Sequence, residues 1–517
     1  MKKLLLSAFY TLVMAMVSSN AFAQRFLTEV FPSVQVTTNV KYGENISVFP
    51  PPTPAMIDLV CDVYEPAGAP DPMMQRPLII FMHTGSFLPA FVNQTPTGSR
   101  NDSATVEICK RFARRGYVVA NMDYRLGWNP QGATLDIRRG TILTAIYRAI
   151  QDAKACVRFF RANAAVGGNT FKIDPNIIIL GGQGTGGYIA INYATLDKVA
   201  EINLPKFISS TTEPTYGFVA GQSYVNQALL GDFDGYGGVP QLNNPNNSPG
   251  YPNNISFAFN LGGAIGDSSF LEAGDPPMVA MHVIGDPFAP FGNGIVYVPG
   301  NPPQIVVEVS GSGAFIPIAN ALGNNNCFIN AGFTDVYTAQ ANTLNNGNDG
   351  LYPFATIPPV QAGPWEWFDS LATIAGAAQY GIPASQAAAI YSNALLTNPD
   401  MSKAKAMAYI DTIMGYLNPR IVYCLNLPTG ISEIQSANTG ITVYPTLLAK
   451  GQAIRINSSK SIIRQIELCD ATGKTIFISK NINTDSAQLN DLSLSAGIYF
   501  LKVITDNSLS VNKLIVE

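Results

Sequence analysis

The chain has 517 residues, 47% of them hydrophobic and only 13% charged, with a formal net charge of −4. This is the composition of a globular chain large enough for one large domain and one small one, and it excludes a disordered polymer. No run of Lys or Arg exceeds two residues, so there is no basic patch for nucleic acid or an anionic membrane, and two histidines without ligand spacing argue against a metal.

In chain order, Lys2 and Lys3 precede an apolar stretch from Leu4 to Val17 and the small-x-small site Ala21-Phe22-Ala23. Residues 1–23 therefore read as a signal peptide that leaves Gln24 as the mature end of an exported protein. No later stretch has the length and apolarity of a membrane span. Strands are expected at Ile57–Tyr64, Leu78–Met82, Tyr117–Met122 and Ile177–Leu180. They are separated by helices at Thr105–Arg115, ending at Gly116, and Ile142–Asn163, with Ile146, Ile150, Ala153, Val157 and Phe160 on one stripe. This alternation predicts an α/β fold with a mostly parallel sheet flanked by helices.

Residues 205–260, rich in Gly, Pro and Asn, read as loops or a cap over one end of the sheet. Strands resume at Pro277–Val283 and Ile305–Val309, and Trp365–Leu417 is mostly helical, with Asp400 or Ser402 capping the last helix. The α/β domain thus occupies 24–425, a polar linker 426–440, and a small all-β, Ig-like sandwich 441–517, with strands at Ile454–Ile456, Ile463–Leu468, Thr475–Ile478, Ile498–Val503 and Lys513–Val516. Six cysteines (Cys61, Cys109, Cys156, Cys327, Cys424, Cys469) form no C-x-x-C pair, and their spacing does not choose between disulfides and buried thiols.

The last segment carries Val443-Tyr444-Pro445, Asp470-Ala471-Thr472-Gly473-Lys474, Leu492, Ser495-Ala496-Gly497-Ile498-Tyr499 and a closing Lys513-Leu514-Ile515-Val516-Glu517. Together these resemble the type A sorting domain of the type IX secretion system, with one departure: Pro445-Thr446-Leu447 replaces the usual Pro-Asn-Pro. The resemblance implies the type IX machinery as partner, transit through the periplasm, and release from the cell or attachment to its surface.

The large domain carries His83-Thr84-Gly85-Ser86-Phe87 after a buried strand, Asp123-Tyr124-Arg125-Leu126 after the next, Gln151-Asp152-Ala153 in the long helix and Asp174-Pro175-Asn176-Ile177 ahead of another strand. In order and spacing these resemble the carboxylesterase/lipase branch of the α/β-hydrolases. The resemblance implies an oxyanion loop at Gly85 and Ser86 and a nucleophile elbow at Gly182-Gln183-Gly184-Thr185-Gly186-Gly187. The nucleophile position is then Gly184, which has no side chain to attack a carbonyl. Thr185, a substitute nucleophile, begins the following helix and contributes its N–H. Gly85, Ser86, Gln183 and Thr185 are the expected oxyanion or ligand-binding residues.

His282-Val283-Ile284-Gly285-Asp286 resembles the segment that delivers the family's acid, which makes Asp286 the acid position. No histidine follows His282; Tyr337 and Tyr352 lie where the base belongs, and a phenol titrating near 10 is a poor substitute for imidazole. Gly182, Gly184 and Gly187 also satisfy G-x-G-x-x-G, but after several strands and with no acidic residue about 20 positions on. No cofactor is expected. The sequence thus favours a catalytically impaired hydrolase-fold protein that binds a small carboxylate, an ester or a surface ligand. The alternatives are an active ester hydrolase with non-standard catalytic residues and an adhesive surface protein.

Overall fold

The computed structural model describes residues 25–49, 54–299, 302–429, 440–449, 451–470, 474–490, 492, 494–506 and 509–516. The expected signal peptide with Gln24, residues 430–439 of the expected linker and residues 471–473 lie outside these. The described residues divide into two compact units, 31–426 and, with the short stretch ahead of residue 31, 427–517.

The larger unit is built on eight strands: β1 (Ser33–Ser47), β2 (Ala55–Ala67), β3 (Arg76–Met82), β4 (Val118–Met122), β5 (Ile173–Gln183), β6 (Phe257–Leu261), β7 (Met278–Val283) and β8 (Leu351–Phe354). Their order in the sheet is β1-β2-β4-β3-β5-β6-β7-β8. The first two pairings, β1 with β2 and β2 with β4, are antiparallel and all later ones parallel. Strands β3, β4, β6 and β7 are buried from end to end, because helices cover both faces of a parallel sheet and mostly apolar side chains fill the gap.

The main flanking helices are α1 (Ser103–Arg115), α2 (Leu135–Val166), α3 (Thr185–Thr195), α4 (Ser312–Ala321), α5 (Ser370–Ala378), α6 (Ala384–Thr397) and α7 (Lys403–Cys424). Helix α1 stops at Gly116, whose φ of 107° lets its N–H fold back on the carbonyls of Ala113 and Phe112. The motifs at 123–126 and 151–153 meet here: buried Arg125 donates Nε to both Asp152 oxygens, at 2.9 and 3.0 Å.

One expectation needs correction, one expected strand falls outside the main sheet, and one strand was not anticipated. The long helix begins at Leu135, not Ile142: Thr134 caps it by accepting from the Ile137 N–H, a start signal that precedes the apolar stripe. Ile305–Val309 lies in a separate antiparallel sheet made by Ala264–Ile265, Asn293–Val298 and Gln304–Gly311. Gln304 and Glu308 are exposed there, which suits a one-sided hairpin and not a strand buried on both faces. Strand β1 has too polar a sequence to show a pattern, and it forms by pairing along β2. The disulfide joins Cys327 to Cys424, while Cys61, Cys109 and Cys156 are buried thiols.

Residues 441–516 form two sheets. One contains Ile441–Tyr444, Ile454–Ser458 and Ser486–Leu489. The other has five strands, from Leu447–Leu448 through Leu509–Val516, Gly497–Thr505 and Ile463–Asp470 to Thr475–Thr484. Ile454, Ile466, Leu468, Leu501, Val503 and Leu514 fill the core. Alternation of buried and exposed positions along these strands is the pattern of sheets with one solvated face.

Candidate active-site cavity

At the C-terminal ends of β3, β5 and β7 the chain forms an open cavity of about 920 Å³. Thr84, Gly85 and Ser86 from the loop after β3, Gln183 to Thr185 from the β5–α3 turn, Asp286 from the loop after β7, and Trp365 and Glu366 from the loop after β8 all line it. An opening at the carboxyl ends of parallel strands is where this architecture leaves loops free to build a site.

The turn from β5 into α3 passes through Gly184 at φ 52°, ψ −118°, a conformation that strains any residue with a Cβ. A Cβ built there would lie 2.1 Å from Thr84 Oγ1 and 2.9 Å from Thr84 Cβ. Thr84 therefore fills the space a nucleophilic side chain would need. Gly182 and Gly186 allow close contact between strand and helix: a Cβ on Gly186 would lie 2.1 Å from the Met82 carbonyl oxygen. The cluster is thus a strand-to-helix elbow on the fifth strand, and not a dinucleotide-binding first turn.

Thr185 Oγ1 lies 2.9 Å from the Tyr124 hydroxyl, which itself donates to the His83 carbonyl at 2.9 Å. With its one proton committed, Tyr124 accepts from Thr185. Burial also holds the Tyr124 phenol well above its ordinary range, so it does not draw the threonine proton away. The N–H groups of Thr185 and Gly186, in the first turn of α3, have no intrahelical carbonyl to pair with.

Opposite them, Gly85 has φ 131°, and Ser86 and Phe87 are both left-handed at 54°. This loop is braced by Trp128 Nε1 on the Ser86 carbonyl at 2.6 Å and by Asn93 Nδ2 on those of Gly85 and Thr97 at 3.2 and 2.7 Å. Gln183 lines the cavity, but its amide is already engaged. Nε2 donates to Thr105 Oγ1 at 3.0 Å and to Glu366 Oε1 at 3.4 Å, and Oε1 accepts from Trp365 Nε1 at 2.9 Å.

Asp286 Oδ1 accepts from the N–H groups of Phe288 and Ala289 at 2.8 and 3.0 Å, whereas Oδ2 has no hydrogen-bond partner among the described residues. The side chain is 6% exposed, and burial pushes its pKa up to about 7 against the pull of those two amides. His282 Nε2 lies 3.7 Å away but donates to the Ala289 carbonyl, and Nδ1 accepts from Ser312. Burial lowers its pKa to about 4, so His282 is a neutral structural residue. No histidine lines the cavity.

Tyr337 and Tyr352 are not at the site: Tyr337 packs on Gly415 of α7, and Tyr352 donates to Gln340 Oε1 at 3.0 Å. The loop after β8 brings Trp365 and Glu366 to that place instead. A Cβ built on Gly262 would lie 3.6 Å from both Asp286 Oδ2 and Trp365 Cη2, so Gly262 keeps open the space between carboxylate and indole. Glu366 is only partly buried; desolvation in the cavity, then the charges of Asp102 and Asp286, push it up to about 8 despite a hydrogen bond from Thr97. Asn398 Nδ2 holds this loop by donating to the Glu366 carbonyl at 3.0 Å, and Lys405 Nζ holds Asn398 Oδ1 at 2.9 Å.

Residues 393–398 at the end of α6 roof the cavity, with α5 and α6 packed on Ala90 and Phe91. The cap over the site comes chiefly from 362–398; of residues 205–260, only Phe207 and Val225 reach the lining. Sequence reasoning missed Glu366 and Trp365. The available signal was Trp365-Glu366-Trp367, which sets two of the chain's three tryptophans around one carboxylate.

Strand order, elbow and oxyanion-type loop define the larger unit as an α/β-hydrolase-fold, esterase-like domain, with a distinct all-β unit after it. The BD-FAE family model matches residues 61–220, and a model described as a domain of unknown function (DUF8694) matches 430–517. No curated protein matches the chain. Among solved structures, esterase 2 of Thermogutta terrifontis phosphorylated by paraoxon is 18% identical over 50% of this chain and 74% of that one, with a TM-score of 0.28. Its propionate-bound form is 18% identical over 50% and 75%, with a TM-score of 0.29. A truncated carbohydrate esterase from gut microbiota is 16% identical over 50% and 79%, with a TM-score of 0.28.

Proposed function

We propose that this chain is an exported α/β-hydrolase-fold protein that binds a ligand in the cavity over Gly184 without hydrolysing it, and that its C-terminal sandwich is a type IX sorting domain. The observation that carries the binding reading is the turn itself: Gly184 offers no nucleophile, and Thr84 stands in the space one would occupy. The one imidazole near Asp286, His282 at 3.7 Å, is buried, held neutral and committed to the Ala289 carbonyl, and does not line the cavity. The cavity and the amides of Gly85, Ser86 and Thr185 remain suited to holding a ligand oxygen.

Purified protein should turn over p-nitrophenyl acetate at no more than the remnant of about 10³ to 10⁴ over water that oxyanion hole and binding alone supply. It should also take no fluorophosphonate label. The sorting reading rests on the motifs at 443–517 and the signal peptide at 1–23. Deleting 441–517 should leave the protein in the periplasm; a truncated protein that still reaches the surface would sink that assignment.

One observation favours the second reading, a working ester hydrolase. The Thr84 hydroxyl sits above the elbow with Glu366 in the same cavity, a non-standard hydroxyl and base. Turnover well above the remnant that Thr84→Ala abolishes would establish it.

A further inference from the structure

The residues lining the cavity include two carboxyl groups, Asp286 and Glu366, and, among the described residues, no Lys, Arg or His. A buried carboxylate is normally stabilised by a basic partner, and one without a partner costs several kcal/mol in desolvation, so it stays protonated until a countercharge arrives. Among the described residues Asp286, more than nine-tenths buried, has no hydrogen-bond partner on Oδ2 and only the neutral His282 ring 3.7 Å from it, while partly buried Glu366 has the 3.4 Å contact with Gln183 and the Thr97 hydroxyl. The rest of the lining is mostly apolar, including Leu143, Ile146, Phe207, Phe270, Val296 and Val307.

Resting on the ligand-binding reading above, we infer that the cavity takes an amphiphilic organic amine, its ammonium head between Asp286 and Glu366 and its apolar body along the aliphatic and aromatic wall. The ligand supplies the positive charge that the protein withholds. Trp365 lines the same cavity and adds an aromatic side chain to the wall that receives the ammonium. A divalent cation does not fit: calcium and magnesium take six or more oxygens, and here two carboxyls face an apolar chamber.

Binding an amine near neutral pH must then ionise a carboxyl and release protons. The groups facing the pair are Asp102, on Glu366, and Tyr188 and His282, on Asp286; Tyr188 is neutral because burial raises its pKa, and His282 because burial lowers its own.

The test is calorimetry on the full chain with octylamine, octyltrimethylammonium and octanoate at pH about 8.5, where an alkylamine of lysine-like pKa near 10.4 is still charged. Octylamine should bind at least tenfold more tightly than octanoate, and its proton release at pH 7 should appear as an enthalpy difference between two buffers. The paired substitutions Asp286→Asn and Glu366→Gln should weaken octylamine by at least about thirtyfold, as expected when one side of a buried charge pair is removed, and should not weaken octanoate. The wild-type proton release provides a readout even if the double variant does not fold. Octanoate binding as tightly as octylamine, or octylamine binding without proton release, would overturn the amine assignment and leave the binding reading standing. Binding by none of the three probes would remove both.

Discussion

The step from Gly184 to a serine is more than one residue deep, because the obstacle sits on the opposite loop. In Gly184→Ser the new Cβ would meet Thr84 Oγ1 at 2.1 Å, and a short branched side chain anchored on a braced loop has little room to retreat. Overpacking and the positive φ together should cost roughly 2–5 kcal/mol, read as a lowered Tm. Adding Thr84→Gly removes the clash and should recover most of the overpacking loss, leaving the backbone strain. The double variant should still take no fluorophosphonate label, since no imidazole lines the cavity and a triad works as a unit. Strong labelling of the double variant would show that Glu366 or Asp286 serves as a base. The empty elbow was legible in the sequence, since Gly184 occupies the place a motif reserves for serine. The side chain filling the vacated space was not: Thr84 and Gly184 are a hundred residues apart, and only the pairing of β3 with β5 brings their loops together.

Elements with a strong internal period could be read directly. Strands β3, β4 and β7 are short apolar runs, and α7 begins at Ser402, whose hydroxyl accepts from the Lys405 N–H as a helix N-cap does. What escaped was decided by partners distant in sequence. Strand β1 exists through its ladder on β2, and the loop after β8 holds its shape through Asn398, more than thirty residues on. Asn398→Ala leaves the Glu366 carbonyl without its donor and frees the Lys405 ammonium from one acceptor. It should cost about 1–3 kcal/mol and weaken ligand binding, with octylamine titrations showing a higher Kd at an unchanged stoichiometry. The disulfide between Cys327 and Cys424 was equally unreadable, because six cysteines with no paired spacing do not select one pairing. It closes a loop across a sequence separation of 97 residues, and replacing both with Ser should cost about 2–4 kcal/mol by constraining the unfolded chain less. Denaturant midpoints of the Cys327→Ser/Cys424→Ser variant measure that loss.

For the molecule as a whole, the unpaired carboxyls make stability depend on pH in an uncommon direction. Asp286 is raised to about 7 and Glu366 to about 8, whereas in the unfolded chain such groups titrate near 3.9 and 4.3. Between those values the native state holds protons that the unfolded state has lost. Stability linked to these two groups is therefore fully present below pH about 4 and falls as pH rises through 7 and 8. His282 acts at the acid end: its folded pKa of about 4 lies below the 6.5 of a free imidazole, so its contribution is present above pH 6.5 and lost as pH falls toward 4. With two carboxyls opposing one histidine, the net slope from pH 5 to pH 8 should be downward. Thermal melts of wild type and Glu366→Gln across that range test this. The amide keeps the shape of the protonated acid and cannot ionise, so the variant should lose less Tm between pH 6 and pH 8 than wild type. A saturating cationic amphiphile should reverse the wild-type slope, since a bound ammonium stabilises the ionised pair and its effect grows as pH rises. Parallel melting curves for wild type and Glu366→Gln would mean that Glu366 reaches bulk water in the native state, which would place its carboxyl outside the cavity.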